Sequence, residues 1–289
     1  MTSSRVSVPR PYVFSSLAIL ALAALATGVG LFVPEFYRDA PALLPQVYGQ
    51  DLLTLLVALP MLAASLYFAT RGSLRGYVVW LGVLGYLLYT YASYSFMTAF
   101  NELYLVYTTL LWLTLVTFVG GLVRLDAVAL KRSLGDLPVR SYVLFQGLLV
   151  ALIALLWLAE ILPAIFDGTT PPSVAEAGLP TSVIYALDLG VVLPAFALSA
   201  YWLWRRRAWG YVFTAVLLVK ATTLGLAVLA MAYFMIRAGS AVPLPQIVIF
   251  GALTLVSGTL LGRLLLSLSP NADSESPPRA STSDAGSES

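Results

Sequence analysis

Eight separate stretches of this chain, each about twenty residues long, hold almost nothing but apolar side chains. Twenty helical residues rise about 30 Å, the depth of a bilayer's hydrocarbon core. A backbone in lipid must satisfy its own hydrogen bonds, so runs of this length predict membrane-spanning α-helices. The predicted spans cover 12–33, 51–70, 77–98, 104–123, 142–163, 186–204, 211–236 and 247–268. Charged residues are only 10% of the chain, against about 25% in soluble domains, which leaves no room for a separate soluble domain.

The basic residues support that count. Lys and Arg concentrate on the cytoplasmic side of membrane proteins. Thirteen of the sixteen fall in one alternating set of connections and termini, Arg38 and Arg237 fall in the other set, and Lys220 lies inside a span. An odd number of spans would scramble this segregation. The expectation is an all-α integral membrane protein in the cell membrane with eight transmembrane helices and both termini cytoplasmic. The first run also has the outline of a signal peptide, with Arg5 and Arg10 before it and Ala24-Leu25-Ala26 as a cleavage-like site. It continues to Val33, which is long enough to span. From Ser269 the composition turns to Ser, Asp, Glu and Pro, too polar to bury a core, so 269–289 is expected to be a disordered cytoplasmic tail.

A second regularity lies within the apolar runs. Residues 59–78 and 193–212 align without a gap at an offset of 134. Nine of the twenty positions are identical, among them Pro60/Pro194, Arg71/Arg205, Gly76/Gly210 and Tyr77/Tyr211. Weaker echoes pair Tyr12-Val13 with Tyr142-Val143, and Leu113-Thr114-Leu115-Val116 with Leu253-Thr254-Leu255-Val256. The alternatives are chance likeness among apolar helices or a duplication. The duplication predicts two parallel four-helix repeats, 12–136 and 137–268, preceded by a cytoplasmic segment 1–11. Binding sites in proteins so built commonly lie between the halves.

Several chemistries are closed to the chain. Cysteine and histidine are both absent. Disulfides, thiol catalysis, imidazole-held metals and histidine-based triads are therefore excluded. No cofactor or metal is called for, and nothing points to nucleic acid. The expected partners are the bilayer and a small polar solute or ion.

What remains is a small set of polar residues in apolar helices. Lys220 lies near mid-membrane, and an ionisable group there costs about 2.5–3.5 kcal/mol on insertion scales unless it faces a partner or a cavity. Asp188, on the preceding predicted span, and Glu160 are its candidate acids. Three readings stand open for Lys220: a structural ion pair, a functional polar cavity, or a side chain snorkelling to the interface. Tyr86 occupies the repeat position of Lys220, so the two copies differ at that point. Tyr86, Tyr89, Thr90 and Ser93 share one helix face, either as an interhelical network or as the lining of a polar path. Asn101 and Glu102 follow near the outer surface. Asp51, at the predicted start of its helix, completes an expected acidic vestibule with Glu102, Glu160 and Asp188; at a helix N-terminus it would also favour the dipole. Gly82 with Gly85, and Gly258 with Gly262, are read as places of close helix approach.

The run Gly85-Tyr86-Leu87-Leu88-Tyr89-Thr90-Tyr91-Ala92-Ser93-Tyr94, followed by Ala99-Phe100-Asn101, resembles a motif of an uncharacterised family of polytopic prokaryotic membrane proteins. The stretch from Asp188 to Gly225, with Leu193-Pro194, Trp209-Gly210-Tyr211 and Lys220-Ala221-Thr222-Thr223-Leu224-Gly225, is similar to a second signature of that family. The resemblance implies a multi-pass membrane protein and supplies no activity or ligand. The functions it leaves are a transporter or permease for an ion or small polar solute, or a non-catalytic helper or sensor that binds a protein or lipid. A lipid-directed enzyme ranks last, because no close acid pair on one helix is present to hold a metal.

Overall fold

The computed structural model describes residues 8–268 apart from 136 and 241. The predicted tail 269–289 and residues 1–7 lie outside the described residues. The described chain is helical, with no strand: α1 Arg10–Phe32, α2 Leu44–Thr70, α3 Leu74–Met97, α4 Tyr104–Arg124, α5 Ala127–Ser133, α6 Val139–Asp167, α7 Pro172–Glu176, α8 Val183–Trp204, α9 Ala208–Arg237 and α10 Leu244–Ser267. Local chemistry marks the ends. Ser73 accepts from the Gly76 N–H and caps α3, Asp126 accepts from Val128 and Ala129 and caps α5, and Ser182 caps α8. Gly168, at φ 64°, closes α6 in the left-handed conformation that glycine adopts without steric cost.

Seven of these helices, all but α3, α5 and α7, are long and apolar enough to cross a membrane. The difference from eight lies in α3. It has the length, 24 residues, but five tyrosines, Thr90, Ser93 and Ser95 dilute its apolar character. Those groups are tolerated because α3 is central: Tyr77, Trp80, Tyr86 and Tyr91 are all buried. Its partner at the centre is α9, which packs against α2, α3, α8 and α10. The two cross where Gly82 has no side chain, and a Cβ there would collide with Val219. At the periphery, α6 buries only 11% of its most apolar stretch, against 56% for α9. Gly85 meets Phe118 closely, whereas Gly262 faces open space, so the second predicted close approach is restricted to the Gly258–Thr222 contact.

The arginine-bearing turns gather at one end of the bundle. Arg75 donates to the Leu268 carbonyl, joining the α2–α3 turn to the end of α10, and Lys131 donates to the Arg206 carbonyl between α8 and α9. Backbone events recur at one interval. A π-helical turn spans Thr54–Ala58 in α2 and another spans Asp188–Val192 in α8. Each is followed by an α-segment of 12 residues. Gly72 and Arg206, in the turns that follow, both have positive φ, 86° and 52°. Gly76 abuts backbone at residues 68–69, and Gly210 abuts backbone at residues 202–203. Every one of these pairs is 134 residues apart.

Candidate functional site

Lys220 is buried in α9, and its Nζ stands 4.1 Å from the centroid of the Tyr89 ring. No carboxylate comes within 4.0 Å of it among the described residues, where the one ion pair joins Arg38 to Glu102. The direct Lys220–carboxylate pair expected from the sequence is therefore replaced by an indirect one. Asp188 lies about one helical turn nearer the bundle's other end. It accepts 2.9 Å hydrogen bonds from the Tyr89 hydroxyl on Oδ1 and from the Trp157 indole N–H on Oδ2. The phenol thus touches both charges, with its face on the ammonium and its hydroxyl on the carboxylate. A desolvated cation on an aromatic face is worth about 2 kcal/mol. It leaves all three ammonium donors without an acceptor among the described residues.

A neutral network occupies the corresponding place in the first half. Tyr86, fully buried, accepts from Gln50 Nε2 at 2.8 Å and shares a 3.0 Å hydrogen bond with Thr54. Gln50 also donates to Thr90 at 2.7 Å. At the interval of 134, Thr54 matches Asp188 and Tyr86 matches Lys220.

Asp51 does not open a helix onto a vestibule. α2 begins at Leu44, because Gly49 lets it continue against the backbone of Met231 in α9, so Asp51 sits inside the bundle. It is 2% exposed and accepts from Tyr37 on Oδ2 at 2.5 Å and from Tyr94 on Oδ1 at 2.8 Å. Gly30 makes room, since a Cβ there would strike both Asp51 and Tyr37. In the α1–α2 connection, burial together with the charge of Asp51 raises the Tyr37 phenol far above its ordinary value and keeps it a proton donor. Burial also raises the Asp39 carboxyl, an effect opposed by the hydrogen bond from the Ala99 N–H. The hydroxyls of Tyr91 and Tyr107 are buried without a partner.

The remaining predicted residues stand apart. Glu102 is exposed and paired with Arg38. Asn101 is buried and accepts from the Leu103 N–H at the start of α4. Glu160 accepts from the Ser173 N–H rather than approaching Lys220, because its place on α6 turns it toward the connection to α7. Ser93 returns its hydroxyl to the Tyr89 carbonyl. The acidic groups thus fall into four separate places and form no common vestibule. Trp157, Gln50, Thr54, Tyr37 and Tyr94 are the residues that the sequence reading lacks. Thr54 has a signal there, as the partner of Asp188 at the repeat offset.

Two cavities lie away from Lys220. One, about 330 Å³, is lined by Arg38, Phe100, Asn101, Glu102, Tyr104 and Leu105. The other, about 480 Å³, lies beside Glu160, Pro163 and Asp167. Comparison with family models, curated proteins and solved structures gives no match, so the geometry alone carries the functional argument.

Proposed function

We propose that the chain is a multi-pass membrane carrier for an ion or small polar solute, with Lys220, Asp188 and Tyr89 as its working site. The single observation behind this is the Lys220 ammonium, buried near mid-membrane with its hydrogen-bond donors unused. A charge so placed is costly, and a cargo group or a transferred proton can compensate it. Tyr89 comes from the first half of the chain, whereas Lys220 and Asp188 come from the second, so a shift between halves changes what the ammonium faces.

In this reading α3 is the eighth span, shielded from lipid by its neighbours, and the two halves are parallel copies of a four-helix unit. The π-helical turns, the positive-φ positions and the crowded glycines recurring at 134 residues support the duplication. The segregation of Lys and Arg supports cytoplasmic termini.

The test is flux into vesicles containing the purified full chain. A pH-sensitive dye inside reads proton movement, with sodium, potassium, chloride and glycine supplied in turn. Saturable flux of at least one probe, reduced tenfold or more in Lys220→Ala, is expected. Rates equal to those of protein-free vesicles for the whole panel would remove the carrier reading. One observation favours a second reading, a non-catalytic helper or sensor for a protein or lipid: neither described cavity is lined by Lys220.

A further inference from the structure

The nest around Asp51 is chemically unlike the Lys220 site, and the carrier reading does not use it. Its carboxylate is buried and has no cationic partner among the described residues, where the one ion pair is Arg38–Glu102. Two phenols already donate to it, from Tyr37 and Tyr94. A phenol that has donated its proton still holds lone pairs turned away from the acceptor. A third phenol, Tyr107, is 1% exposed and has no hydrogen bond. Its hydroxyl is turned toward Tyr37 and Asn101, and its ring packs on Tyr94 at 5.2 Å. Buried polar atoms are nearly always satisfied, so an idle hydroxyl beside an uncompensated carboxylate calls for a ligand.

We propose that Asp51, with the hydroxyls of Tyr37, Tyr94 and Tyr107 and the side-chain oxygen of Asn101, binds an alkali-metal cation of sodium size. Every available donor is oxygen, which suits a hard cation and not a soft one. One carboxylate balances one charge. Calcium sites recruit more acidic ligands, and no group of three metal-ligating side chains exists among the described residues. Asp39, on the far flank of Tyr107, has a buried oxygen without a hydrogen bond and adds attraction for a cation arriving from that end of the bundle. The site is built by residues of α2, α3, α4 and the two connections that meet there, so binding ties these segments together. The rival occupant is water, which also satisfies idle hydroxyls but is indifferent to the salt supplied.

The experiment melts the purified full chain in detergent in sodium, potassium or choline chloride at equal ionic strength, with a further arm of millimolar calcium in choline chloride. A ligand of the folded state raises Tm in proportion to the logarithm of its concentration above Kd. The expected result is a saturable rise in sodium over choline. It is absent in Asp51→Asn, shifted at least tenfold in half-saturation in Tyr107→Phe, and retained in Lys220→Ala. Tyr107→Phe removes an oxygen but no hydrogen bond, so it covers the case in which Asp51→Asn fails to fold. Equal melting in every salt, a response to calcium alone, a sodium response surviving Asp51→Asn, or an unchanged half-saturation in Tyr107→Phe would each overturn the proposal. Because Lys220→Ala serves as a control, a failed flux assay leaves this inference standing, and the reverse holds too.

Discussion

Thr54 with Tyr86, and Asp188 with Lys220, occupy matching places on matching helices, yet they solve the same problem in opposite ways. The first pair touches at 3.0 Å and draws in Gln50, so its polar groups are satisfied within their own half. The second pair carries charge and does not touch. A phenol from the other half stands between its members. A neutral pair closed on itself stabilises a helix contact and offers nothing further. A charged pair held apart keeps capacity for a ligand, at a cost in stability that the surrounding bundle must cover.

The largest test of this contrast is truncation of each pair. Asp188→Leu leaves Lys220 buried with no carboxylate near it and should cost about 3–5 kcal/mol, read by chemical unfolding in mixed micelles. Lys220→Met should cost less, since Asp188 keeps the Tyr89 and Trp157 donors. The double variant should recover part of the loss of Asp188→Leu, because an apolar pair removes the buried charge altogether. Tyr86→Phe, in the neutral pair, should cost about 1 kcal/mol, in keeping with hydrogen bonds between membrane helices. Equal losses for Asp188→Leu and Tyr86→Phe would erase the distinction between the halves.

Next in size are the crowded glycines. Gly76→Ala and Gly210→Ala each push a Cβ into backbone of the preceding helix, where no side chain can rotate away. About 1–3 kcal/mol of overpacking is expected for each, with the two values close to one another. A large cost on one side only would break the likeness of the two halves. The smallest effect concerns the turns. Gly72 meets its positive φ without penalty, but Arg206 has a side chain in the same region. Arg206→Gly should raise stability by up to about 1 kcal/mol, and Gly72→Ala should lower it by a similar amount.

Apolar run lengths disclose most of the helices, because lipid leaves the backbone no alternative to internal hydrogen bonding. Their bounds extend beyond the runs where packing continues past the hydrocarbon depth, as at Leu44, where contact with α9 carries α2 outward. The apolar measure understates α3, a helix surrounded by protein. For the site, Lys220 and Asp188 stand out as charges among apolar neighbours, and Tyr86 stands out through the repeat. What one-dimensional spacing does not contain is which faces of different helices meet. Tyr89 lies between two charges, Trp157 reaches Asp188 and Glu160 turns away because of crossing angles and rotations about helix axes. Asp51 changes from a surface acid to a buried one for the same reason.

Each π-helical turn holds one residue more than the α-helix around it needs. The Leu59 N–H reaches back five residues to Thr54, and the Leu193 N–H likewise reaches Asp188. The next residue is proline in both cases, which has no N–H with which to tighten the wide turn. Sliding the surplus residue along α8 re-indexes the segment before it against the segment after it by about 100°, the angle of one residue in a helix. Asp188 therefore sits on a swivel: its carboxylate can exchange neighbours by a twist about the axis, with no bend in the rod and no change in its length.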